Sequence, residues 1–137
     1  MPIMQTKQRW LVIAVIVALA ITAFYSIPWC TRQWAYHDTV YAKGFSQSAF
    51  SHITPGTPRS AVLAAVGQPL RTDVEPNFSV SSLFDERDRK RYAGSAHITL
   101  ERLMFSLPKP GANSHHWVSV TIGPDDVVIG VANYIED

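Results

Sequence analysis

The chain has 137 residues, 47 % of them apolar, with a formal net charge of +1 and a single cysteine. That length holds one domain of about 100 residues beside any membrane segment. The near-neutral charge excludes the concentrated basic face that nucleic acid requires, and one cysteine excludes both an internal disulfide and a Cys-rich metal framework.

Apolar residues are unevenly spread. Trp10 to Ile27 (WLVIAVIVALAITAFYSI) carries no charge, and at about 1.5 Å per residue the stretch to Trp29 makes roughly 30 Å of helix, the thickness of a bilayer's hydrocarbon core. Trp10 at one end and Tyr25 and Trp29 at the other match interfacial aromatics. Lys7 and Arg9 ahead of the run favour a cytoplasmic N-terminus, which would export the rest of the chain. Residues 1–30 are therefore expected to be an uncleaved signal anchor whose partner is the lipid bilayer, through residues 10–29. The competing reading, a cleaved secretory signal, wants a shorter apolar stretch and small residues before the cut. Lipidation of Cys30 would place the protein at the outer membrane instead, but that processing wants a small residue where Trp29 stands. Pro28 either ends the anchor helix or marks its exit into a loop.

Residues 31–45 (TRQWAYHDTVYAKGF) mix aromatics with polar residues and read as a juxtamembrane helix or stalk, with Trp34, Tyr36 and Tyr41 either at the interface or packed on the domain. The clearest local signal follows in FSHITPGTPRSAVLAAVGQP, residues 50–69. Thr57 suits an N-cap, Pro58 the first helical position, and Gly67 with Pro69 a stop, so a helix is expected over about 58–66. Val62 and Val66 give it an apolar stripe that must pack on something. Residues 46–53 suggest a preceding short helix, with Thr54-Pro55-Gly56 as the turn between the two.

Residues 71–97 predict one strand at Phe78 to Phe84 and then a solvated loop, since the run Asp85 to Arg91 alternates sign and nearly cancels. From Ile98 the pattern is that of strands: ITLERLMFSL, a Pro- and Gly-containing loop at 108–114, HHWVSVTI, the turn Gly123 to Asp126, and VVIGVANYI. Two hairpins joining three antiparallel strands is the natural reading. Val118, Val120 and Ile122 fall on one face of the middle strand and Trp117, Ser119 and Thr121 on the other. Gly130 marks a bulge or a close approach.

The two helices followed by a meander, with Ile53, Gly56, Val62, Gly67 and Pro69 in ITPGTPRSAVLAAVGQP, resemble the SmpA/OmlA family, also called BamE-like. The resemblance covers roughly residues 46–137 and implies a small α+β domain of two short helices packed on a three-stranded antiparallel sheet. It also implies a place in the bacterial envelope without enzymatic activity; the family's best-known members are lipoproteins that brace the outer-membrane β-barrel assembly machinery. This chain departs from them at its start, where an anchor-like helix stands in place of a lipobox.

Chemistry is not expected. His37, His52, His97, His115 and His116 have no known metal-ligand spacing, and adjacent strand residues such as His115 and His116 point to opposite faces. A site pairing one of them with Asp125 or Asp126 is the remote alternative. No serine sits in a nucleophile-elbow frame, no glycine-rich loop suits a phosphate, and no cofactor is called for. The reading is a membrane-tethered protein of the inner membrane, its domain in the periplasm, that stabilises or organises a larger envelope assembly through a protein partner. Trp117 is the candidate interaction residue. The alternative is an inhibitor-type module that occludes a soluble hydrolase.

Overall fold

The computed structural model describes residues 2–136, with side chains from Arg9 onward. The first helix, α1, runs Pro2–His37. Its Arg9–His37 portion is long and apolar enough to cross a membrane, and its most apolar window is covered nowhere by the rest of the chain. Pro28 sits inside α1 and does not end it. Proline lacks the N–H that would bond the Phe24 carbonyl one turn earlier, and one turn later Thr31 Oγ1 donates to Pro28 O at 3.0 Å.

The helix leads straight into the domain. Residues 31–45 are helix to His37 and then strand β1 (Thr39–Tyr41), not a free stalk. Two short helices follow, α2 (Gln47–Phe50) and α3 (Arg59–Val66), close to the expected pair. Ser46 Oγ caps α2 by accepting from Ala49 N. For α3 the capping residue is Pro58, without a side-chain bond, while Thr57 Oγ1 accepts from Thr54 N at 3.3 Å and closes the turn instead. Gly67, at φ +81°, stops α3 as expected, because only glycine enters that region without strain.

The sheet differs from the three-stranded expectation. Four antiparallel strands stand in the order β2 (Arg71–Ser79), β3 (His97–Met104), β5 (His115–Ile122) and β6 (Val128–Glu136), and β1 pairs with β4 (Ser106–Pro108) in a separate two-stranded sheet. Strand β2 escapes pattern reading because RTDVEPNFS has no apolar alternation and most of it is solvent-exposed; it is held by backbone bonds to β3. The strand foreseen at Phe78 to Phe84 ends at Ser79 and gives way to a 3₁₀ turn, Val80–Ser82. The charged run expected as a loop is helical, α4 (Glu86–Arg91). Its Asp85 cap accepts from Arg87 N at 2.8 Å, and acids at its start and bases at its end suit the helix dipole. The expected strand from Ile98 to Leu107 breaks at Phe105, which turns fully inward, bonds Val118 O through its N–H and separates β3 from β4.

Two apolar clusters hold the sheet from its two faces. Phe50, Ile53, Val62 and Val66 from the α2–α3 segment meet Leu103, Val118, Val120, Ile122 and Val128. On the opposite face Val80 and Leu83 cover Ile98 and Leu100, joined by Tyr92 and Ile129. Fully burying each such side chain is worth about 1.5–3 kcal/mol. The alternation foreseen in β5 holds, and a register shift sits where Thr121 pairs Gly130 and Ile122 pairs Val128, leaving Ile129 as the extra residue beside the predicted Gly130.

Candidate functional site

Three places carry the residues singled out in the sequence. The first is α1, where Trp10, Ile27 and Trp29 are 70 %, 63 % and 63 % exposed and Cys30 is a free, exposed thiol. Apolar side chains turned outward along a whole helix are costly in water and comfortable in lipid.

The second is the turn that carries the motif residues. Ile53 and Val62 are buried in the main cluster, Gly56 adopts φ +95°, and the loop is stitched to β6 by Gly56 N to Val128 O at 2.7 Å and Val128 N to Thr57 O at 2.9 Å. Beyond Gly67, a half-exposed Pro69 precedes β2. These residues shape the fold; none presents a reactive group. Nearby, Arg59 pairs with Glu101 at 2.8 Å and reaches Asp126 at 3.4 Å, and the hydrogen bond that Arg59 donates to Glu101 leads in raising the Arg59 pKa.

The third is the sheet itself, whose two faces are used differently. On the helix face His116, 2 % exposed, joins α1, β1, β5 and β6. Its Nδ1 lies 2.7 Å from the Tyr41 hydroxyl and its Nε2 2.6 Å from Asn133 Oδ1, so the Nε2 proton faces the amide oxygen and Nδ1 accepts from tyrosine. Its backbone N–H donates to Thr39 Oγ1 at 2.7 Å, that hydroxyl donates to Ala35 O at 2.5 Å, and the Tyr36 ring meets the imidazole edge-on at 4.7 Å. Burial is the leading cause that pushes the Tyr41 phenol up to about 12. His115 points the other way, as the strand geometry requires; its Nε2 is buried without a hydrogen bond and lies 3.6 Å from Glu136.

On the outer face Trp117 stacks with Tyr134 at 6.3 Å and donates through Nε1 to Ser119 Oγ at 3.1 Å. The ring ends a shallow depression lined by Arg102, Thr121, Gly130 and Ala132. Asp125, the remote partner suggested for a histidine, instead accepts from the Tyr92 hydroxyl at 2.5 Å and pairs with Arg91. Burial leads in raising both the Tyr92 and the Asp88 pKa. His37, His52 and His97 are exposed and apart, and among the described residues no three His, Cys, Asp or Glu gather as a metal would need.

The His116 network and the place of Arg102 beside Trp117 lie beyond sequence reading. Tyr41 and His116 are 75 positions apart, and the β1–β4 pairing together with the Thr39 hydroxyl on the His116 N–H brings them together. The tryptophan on the outward-facing side of an alternating strand was the one local signal. No protein-family model, curated protein or solved structure matches the chain.

Proposed function

We propose that the chain is a single-pass protein of the bacterial inner membrane, spanning through residues 10–29, whose α+β domain works in the periplasm without catalysis, stabilising or organising a larger envelope assembly. The role is of the SmpA/OmlA kind. The observation that carries it is the helix α1, whose most apolar stretch is covered nowhere by the rest of the chain and which runs without a linker into a domain bonded to its last turn. Lys109 Nζ donates to His37 O at 2.5 Å and Lys109 N to Asp38 O at 2.8 Å. A rigid tether confines the domain to a thin layer beside the membrane and raises its effective concentration for a membrane-bound partner.

Intact mass of the membrane-extracted protein, with alkaline extraction of the membranes beforehand, tests this. The expected result is the full-length mass retained in the membrane pellet. A chain beginning at Cys30 with added acyl mass moves the protein to the outer membrane, and a soluble cleaved domain that binds a hydrolase one to one replaces the scaffold by the inhibitor.

A further inference from the structure

The two edges of the four-stranded sheet are unlike. Strand β2 is guarded as natural edges are: it carries Arg71, Asp73 and Glu75, then Pro76 and a left-handed Asn77 at φ +61°. From Gly130 to Glu136, β6 has no Lys, Arg or Pro, and its one charge is Glu136 at the end. Among the described residues the only backbone bonds this stretch makes are those to β5. Among the described residues nothing pairs with its outer row of N–H and C=O groups.

Beside that edge the outer face is hollowed by side-chain size. Pairing aligns Asp73, Arg102, Thr121 and Gly130 in one row across the sheet, Met104, Ser119 and Ala132 in the next, and Trp117 with Tyr134 in the third. Small residues on β6 thus leave a trough that ends against an aromatic wall. Asp73 is engaged by Arg71 at 2.7 Å, and among the described residues Arg102 has no anionic partner. Helix α1 comes close to β5 and β6 and packs through Tyr36 on the face that His116 presents, opposite the trough.

We infer that the free edge of β6 receives an extended segment of a partner protein as an added strand, with a glutamate side chain reaching Arg102 across Gly130. Backbone pairing supplies the affinity and alternate side chains the selectivity. An added strand would lie about 14 Å from β3, three strand spacings away. Two long side chains meeting end to end cover that span only while Thr121 and Gly130 between them stay small. A large apolar residue two positions from the glutamate would rest on Ala132 against Tyr134. The inference rests on the proposed role as a binding module, and names the surface and the partner's chemistry.

The test pans a phage-displayed random-peptide library against the full chain in nanodiscs of neutral lipid, then titrates the enriched peptides by fluorescence anisotropy. The expected peptides carry glutamate with large apolar residues at two-residue spacing. Arg102→Glu should weaken them by about tenfold or more, and panning on that variant should exchange glutamate for Lys or Arg. Gly130→Val should block binding at an unchanged melting temperature; should it disturb the fold, Gly130→Ala serves with a smaller loss. Peptides without acidic preference, an affinity indifferent to Arg102→Glu, or no enrichment would overturn the inference. Binding to phosphatidylglycerol vesicles that is lost in Arg102→Glu would overturn it in favour of a lipid surface. Panning needs only the folded chain, so its failure leaves the anchor standing, and a cleaved anchor leaves the peptide result standing.

Discussion

His116 brings together at one side chain what the sequence keeps far apart. Its two ring nitrogens are satisfied by Tyr41 and Asn133, so an apolar replacement removes both bonds and leaves a half-buried phenol unpartnered. His116→Leu is expected to lower the unfolding free energy by about 2–4 kcal/mol, read by urea titration; a loss below about 0.5 kcal/mol would show that the network carries no stability. Tyr41 gives a second observable. Its folded pKa of about 12 lies above the ordinary 10.0, so the folded state prefers the neutral phenol. The stability tied to that preference is whole below pH 10 and is lost as pH rises from 10 to 12. Tyr92 is shifted the same way. Melting temperature should therefore fall across that window, less steeply in Tyr41→Phe and least in the double variant with Tyr92→Phe. Equal slopes in all three would mean that neither phenol is burdened by burial.

Among the elements, α3 ends where Gly67 takes a backbone angle closed to other residues, and a Cβ there would stand 3.0 Å from Lys43 O. Gly67→Ala should cost about 1–3 kcal/mol, although Ala is the better helix former; an unchanged unfolding midpoint would show that the C-terminal turn can relax. This stop was legible because glycine and proline act locally, and so were the stripe of Val62 and Val66 and the alternation from Val118 to Ile122. Strand β2 and helix α4 were not, for opposite reasons. Arg71 to Ser79 has no buried face to betray a period, being an edge strand paired through its backbone. Asp85 to Arg91 has too few apolar residues to look helical, yet its cap and charge order suffice. Splitting of the expected strand from Ile98 to Leu107 at Phe105 depends on a bond to Val118, which no local pattern encodes. The outer-face site was half legible: alternation puts Trp117 on the face opposite Val118 and Val120, but that Arg102 shares its face follows from the β3–β5 register alone.

At the scale of the whole molecule the question is where the anchor ends and the domain begins. Helix α1 has 36 residues, about 54 Å at 1.5 Å per residue. The stretch from Trp10 to Trp29 makes about 30 Å, the length a bilayer's hydrocarbon core asks for, and the eight residues from Cys30 to His37 make about 12 Å more, longer than one headgroup layer. Composition puts a boundary near Cys30, where the apolar run stops. Packing gives the last turns to the domain: Ala35 is wholly buried, Tyr36 lies on His116, and the His37 carbonyl holds Lys109. Two truncated chains separate these descriptions. One beginning at Cys30 keeps every such contact and should melt with the domain of the full protein. One beginning at Thr39 loses Ala35, Tyr36 and the acceptor of the Thr39 hydroxyl, which should cost about 2–4 kcal/mol and move the melting temperature down by 10 °C or more for a domain of about 100 residues. If both melt alike, the last turns of α1 serve the membrane alone and the domain hangs loosely from it. If only the longer chain matches the full protein, the domain is clamped to α1, and in the proposed membrane setting that clamp fixes how β6 is presented.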